Sequence, residues 1–229
     1  MAEYSGKIGI FGGTFDPVHY AHLFFAQTAL EAAGLDKVLF MPSPDPYYRT
    51  DKKVTDSRLR LEMIRLAIAD NENFELSDFE IRLAENGDTT YTGSTLQAFK
   101  MENPDAELYF ILGGDSLFSI ENWQAPEVIF ESCTLISSKR QGEAEGASGS
   151  CAPTGRAMEN LDDEFEAHAR YLREKYGAVI INANFPNIEI SSSAIIKKIR
   201  EGKSIKYFVP DKVSEYIKEK DIYGSIQIF

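Results

Sequence analysis

A chain of 229 residues is long enough for one sizeable α/β domain with its own core. Its 24 Lys and Arg against 36 Asp and Glu leave a net charge of −12, which argues against a nucleic-acid or membrane-surface binder. Two cysteines, Cys133 and Cys151, without metal-ligand spacing point to a reduced, cytoplasmic setting, and neither a signal peptide nor a membrane span is expected. An anionic ligand must therefore be held by local donors.

The first element is Lys7 to Phe11, a short β-branched and apolar run that reads as a strand of a parallel sheet. Gly12-Gly13 then reads as a tight turn that lets backbone approach a ligand with no Cβ in the way. Asp16-Pro17 closes the loop, and the apolar run Leu23, Phe24, Phe25, Ala26, Ala29, Leu30 reads as a buried helix. His19 and His22, two of only three histidines in the chain, stand three apart at that helix start and share a face. A helix start offers free N–H groups and partial positive charge, so these residues together suit phosphate. A structural glycine turn with incidental histidines is the alternative.

Further along, Gly34 is a helix stop and Lys37–Met41 a second strand. The proline-rich stretch Pro42–Arg49 lies at a strand's carboxyl end, where open α/β sheets bind ligands, and Lys52 and Lys53 could reach phosphate; a plain surface loop fits equally. Thr55 or Asp56 caps a helix to about Ala69 with Leu59, Met63 and Leu66 on one face and Arg58 in its first turn. Phe74–Ser77 alternates as a third strand that Phe79 and Ile81 continue, and Glu85–Asp88 is a turn. Thr89–Leu96 leads a helix to about Glu102, its hydroxyls read as ordinary caps. Ala106–Gly113 is the central strand, and Asp115 on the following glycine turn can accept hydrogen bonds from a ribose. Trp123 is the lone tryptophan, a packing residue by default. A helix over Pro126–Glu131 and a strand over Cys133–Ser138 follow.

Residues 141–158 are poor in apolar side chains and read as a flexible linker inside a single domain spanning 1–229. A helix from Asp162 to Lys175 carries His168 as a structural histidine, and Val179–Ile181 is the last strand. Ser191-Ser192-Ser193 opens a helix that Gly202 stops, and Asp211–Lys220 is the final helix. Strands alternating with helices give a doubly wound, mainly parallel sheet.

Several segments carry a resemblance. Gly12-Gly13-Thr14-Phe15-Asp16-Pro17-Val18-His19 with His22 resembles the T/H-x-G-H signature of the nucleotidylyltransferase superfamily in its bacterial nicotinate-nucleotide adenylyltransferase form, with Ala21 where the signature has glycine. Thr90-Tyr91-Thr92, Gly113-Gly114-Asp115-Ser116-Leu117, Trp123 and Ile190-Ser191-Ser192-Ser193 are similar to further segments of that family, in the right order. The family's Pro-His-Lys is absent from the Pro42–Arg49 loop, Gln124 stands where an aromatic is usual, and Ile196 takes the place of the signature arginine.

The resemblance implies a Rossmann-like fold and AMP transfer from ATP, with Mg²⁺, to nicotinate mononucleotide. It implies catalytic roles for His19 and His22, and ATP contacts from Gly12, Gly13, Thr14, Phe15, Asp115, Ser192, Ser193 and Lys197. It also implies substrate contacts from Tyr91, Thr92 and Trp123, with no protein-held metal, and leaves a homo-oligomer open. Transfer to phosphopantetheine on the same scaffold, or nucleotide binding with weak catalysis, are the rival readings.

Overall fold

Strands buried on both faces take near-continuous Val, Ile, Leu and Phe, and such runs mark the sheet here. The computed structural model describes residues 4–44, 54–138, 155–185 and 188–224. In chain order the elements are β1 (Gly6–Gly13), α1 (Tyr20–Ala33), β2 (Lys37–Pro42), α2 (Ser57–Ile68), β3 (Phe74–Leu76), α3 (Phe79–Glu85), α4 (Thr92–Glu102) and β4 (Ala106–Leu112). Then come α5 (Gly114–Ser119), a 3₁₀ turn over Ile120–Asn122, α6 (Pro126–Ser132), β5 (Thr134–Ser137), α7 (Gly155–Tyr176), β6 (Ile180–Asn182), α8 (Ser192–Arg200) and α9 (Asp211–Glu219). Arg49, Lys52, Lys53, Cys151 and residues 141–154 of the expected linker lie outside the described residues. Helix α7 begins at Gly155, inside the segment read as linker.

The six strands pair in parallel in the order β3-β2-β1-β4-β5-β6. The chain runs outward from β1 through β2 to β3, then returns to β4 on the other side of β1. The carboxyl ends of β1 and β4 thus form the topological switch point, the place where doubly wound sheets open a crevice. One face packs Phe11, Val38 and Phe40 against Phe25, Met63, Ile64, Ile195 and Val213 of α1, α2, α8 and α9. The other packs Ile8, Ile10, Leu39 and Phe110 against Phe79, Leu96, Leu117, Phe130 and Phe165 of α3 to α7.

Three local readings are corrected. Phe79 and Ile81 do not extend the third strand: Ser77 Oγ accepts from Phe79 N, Arg82 pairs with Asp78, and a helix begins. Helix α1 is buried along one face only, through Ala21, Phe25, Ala26 and Ala29, while Phe24 is 54 % exposed. Cys133 caps α6 instead of joining β5; its thiol donates to Ile129 O at 3.3 Å, and burial pushes its pKa up to about 12.

Candidate active site

A cavity of about 500 Å³ opens at the switch point. Four segments converge on it: Thr14 to Phe25 after β1, Gly113 to Ser116 after β4, Ser138 after β5, and Phe185 with Ile188 to Ser193 ahead of and into α8. No Lys or Arg stands among the described residues that line it, so anions there meet N–H and O–H donors.

The histidines define its floor. His19 is the N-cap of α1 and 5 % exposed; His22 sits one turn on, with ring centroids 3.6 Å apart and planes 17° from parallel. His22 Nδ1 accepts the backbone N–H of His19 at 3.2 Å, so in the neutral ring the proton sits on Nε2. Burial lowers the His19 pKa to about 4, against the raising effect of a backbone hydrogen bond. Burial, then the neighbouring His19 charge, holds His22 well below its ordinary value. Both rings are therefore neutral at pH 7, and His22 presents a fixed Nε2–H donor. The Nδ1 of His19 is buried and has no hydrogen-bond partner among the described residues.

The loop ahead of α1 is tied at several points. Tyr20 N donates to Phe208 O at 3.0 Å and Ser192 Oγ to Pro17 O at 2.9 Å. Phe15, which lines the cavity, is 2 % exposed and has φ +50°; its ring packs edge-on against Phe11 and His22. The hydroxyl proton of Ser192 is thus committed to the loop, and Ser191 is the residue that caps α8, accepting from Ala194 N at 3.2 Å. Ser191 and Ser193 both line the cavity from an exposed rim. Ile195 and Ile199, four apart, seat α8 in the core and aim its start at the crevice.

Of the residues read from the sequence, His19, His22, Thr14, Phe15, Asp115, Ser192 and Ser193 line this cavity; Gly12, Gly13, Lys197, Tyr91, Thr92 and Trp123 do not. Gly12 and Gly13 do not form the turn. They remain in β1, paired with Met41 and Pro42, and the chain turns at the residues after them. What they supply is room: a Cβ on Gly13 would lie 3.1 Å from the Phe15 ring, and one on Gly12 3.2 Å from the Phe110 ring. Lys197 is 77 % exposed on α8, 4.0 Å from Glu201, and does not face the cavity.

Tyr91, Thr92 and Trp123 belong to the helices on the opposite sheet face. A Cβ on Gly93 would lie 3.3 Å from Val128, so the first turn of α4 presses close to the segment after Trp123. The Trp123 ring packs edge-on to Phe110 at 6.3 Å. His168 is structural, with Nε2 3.2 Å from Leu117 O and its ring stacked on Phe118.

Two features went unread. Phe25, Phe185, Ile188 and Ile190 add apolar surface to the cavity, and Phe185 packs on Phe25 at 5.2 Å. Arg60, not Arg58, is the buried arginine of α2. Its place beside Met63, Ile64 and Ala67 at helical spacing, a charge inside an apolar stripe, was the available signal.

Fold and site together define a Rossmann-like nucleotidylyltransferase, and residues 10–198 match the cytidylyltransferase-like family. A protein of Lachnoclostridium phytofermentans named "Probable nicotinate-nucleotide adenylyltransferase" is 36 % identical over 217 residues, 95 % of this chain and 98 % of that one. A Clostridium botulinum protein of the same name is 38 % identical over the same shares. The chain belongs to this nicotinate-nucleotide adenylyltransferase family. The structure of Plasmodium falciparum nicotinic acid mononucleotide adenylyltransferase complexed with NaAD matches in fold, with TM-score 0.70 and 21 % identity over 96 % of this chain and 98 % of that one. Among the described residues no helix is long and apolar enough to cross a membrane.

Proposed function

We propose that this chain transfers the adenylyl group of ATP to nicotinate mononucleotide, yielding nicotinate adenine dinucleotide and pyrophosphate, in the cytoplasm. The observation that carries the reading is the stacked, neutral His19–His22 pair at the switch-point cavity, with the serine-rich start of α8 beside it.

The mononucleotide's phosphate oxygen attacks the α-phosphorus of ATP in line; the new P–O bond forms as the α–β bridging bond breaks and pyrophosphate leaves. The nucleophile is already an anion, so the protein positions the groups and stabilises charge. His22 Nε2–H donates to an α-phosphate oxygen, its orientation set by the His19 amide. His19 and the backbone near Thr14 contact the neighbouring phosphate, and Ser193 with the first turn of α8 receives the departing end. Mg²⁺ enters with ATP as part of the substrate, held mainly by phosphate oxygens and water. Asp115, which lines the cavity at the start of α5, accepts from a ribose hydroxyl in this reading. Tyr91, Thr92 and Trp123 make the pyridine side, with Thr92 at a helix start suited to the nicotinate carboxylate.

Pyrophosphate release from ATP and Mg²⁺, with nicotinate mononucleotide, nicotinamide mononucleotide or phosphopantetheine offered separately, tests the reading. Release with the first is expected. Release with phosphopantetheine alone would replace the substrate, and silence with all three would reduce the protein to a nucleotide binder.

A further inference from the structure

We infer that Asp16, Arg60 and Tyr223 are positioning residues for this chain's reaction, a clamp built around the buried Arg60 that fixes the loop between β1 and α1 and so holds His19 and His22 against the reacting phosphates. The inference rests on the adenylyl-transfer reading for what the histidines do, and on the following contacts for the clamp itself.

Arg60 is fully buried, and its guanidinium donates to backbone carbonyls in three places. Nη1 donates to Thr14 O at 2.9 Å, Nε to Thr55 O at 2.9 Å, and Nη2 to Pro44 O. One planar fork therefore joins the loop after β1, the loop after β2 and the start of α2, a task its fixed geometry suits and a lysine cannot copy. Asp16, two residues past Thr14, closes the ring: Oδ2 accepts from Thr55 N at 3.0 Å and Oδ1 from the Tyr223 hydroxyl at 2.5 Å. Burial, then the Asp16 charge, pushes the Tyr223 hydroxyl well above its ordinary range, so it stays protonated and donating.

The two ends of this tie are both held in left-handed backbone. Phe15, beside Asp16, has φ +50°, while Asp221 and Tyr223 have φ +47° and +77°. Non-glycine residues keep such conformations where the surroundings over-determine them, and they gather at functional sites. The chain after α9 reaches a loop 207 residues away, with Ile222 buried in the core beside it. Three residues past Asp16 the clamped loop delivers His19, whose amide in turn aims His22. Displacing a reacting group by about 1 Å costs on the order of a hundred-fold in rate, so a clamp here acts on turnover more than on binding.

Tyr223→Phe removes one hydroxyl and keeps the ring in place. Steady-state kinetics, measured well below the melting temperature, should show kcat down about ten-fold with KM for both substrates within about two-fold. Nitrogen–proton NMR of the rings gives a readout independent of activity, because the chain has three histidines. The His19 and His22 signals should shift while His168, on α7, keeps its own as an internal control. Arg60→Lys keeps the charge, loses the fork, and should deepen the loss to about a hundred-fold. If it fails to fold, Tyr223→Phe decides alone. Unchanged kcat with unchanged ring signals would overturn the clamp. Should the wild-type protein release no pyrophosphate, the reaction assigned above falls, and the ring signals still decide whether the loop is clamped.

Discussion

Two helix starts face the same cavity, and they are built in opposite ways. Helix α1 opens on a buried residue, His19, with its first amide bonded to Phe208 O and its loop tied to α8 through Ser192. Helix α8 opens on the exposed Ser191, a simple hydroxyl cap. Desolvation at the first keeps two imidazoles neutral and oriented; solvent at the second leaves the exposed Ser193 hydroxyl able to turn toward whatever arrives. The difference separates a site for chemistry, where geometry is fixed in advance, from a site for holding charge, where adaptability costs little.

The sharpest way to break this contrast is His22→Ala. It removes the oriented Nε2–H, and kcat should fall by about 10²–10³-fold with melting temperature nearly unchanged; near wild-type turnover would strip the histidine pair of its role. Acid offers the next test, through stability. The His19 pKa is about 4 folded and about 6.5 unfolded, so between those values the unfolded chain binds more protons and stability falls as pH drops. The His19 contribution, on the order of a few kcal/mol, begins near pH 6.5 and levels off below about 4, with His22 adding in the same direction, while Glu80, held up to about 7 by burial, opposes both between about 7 and 4.5. The His19 ring is therefore the readout: an NMR titration of that ring centred near 6.5 would contradict the burial argument.

At the other helix, Ser191→Ala should cost about 1 kcal/mol of stability and raise KM for ATP several-fold while kcat holds. A collapse of kcat would mean that α8 shares in the chemistry. The smallest effect is expected from Lys197→Ala, since that ammonium sits in solvent beside Glu201: kcat/KM should stay within about two-fold of wild type. A larger loss would place the lysine at the phosphates after all.

Alternating apolar patterns were enough to read a doubly wound, mainly parallel sheet and most of its elements, because buried parallel strands and one-faced helices leave period signals in the chain, whereas the strand order came only with the structure. The histidine pair was legible for a similar reason, since spacing of three on a helix fixes a shared face. What failed were inferences that needed a partner distant in sequence. Gly12 and Gly13 were read as turn glycines, yet their need is set by the Phe110 and Phe15 rings, which no local pattern reports. Phe79 and Ile81 alternate like a strand, and only the capping at Ser77 shows that β3 ends as an edge strand. Arg60 drew no reading at all, since the carbonyls it donates to lie on three separate segments. The wall residues Phe185, Ile188 and Ile190 lie between β6 and α8, outside any periodic segment. Lys197, one position and about 100° of turn past the place of the signature arginine, stands 77 % exposed beside Glu201.

The protonated, enclosed thiol of Cys133 has a practical side. Maleimides and iodoacetamides react with thiolates, and at neutral pH a group pushed up to about 12 offers them almost none. With Cys151 replaced by serine, a single cysteine introduced at Met101, 83 % exposed on α4, would take a dye selectively and leave Cys133 silent. That label would ride on the helix whose first turn carries Thr92, giving an optical view of the pyridine side without touching the histidines.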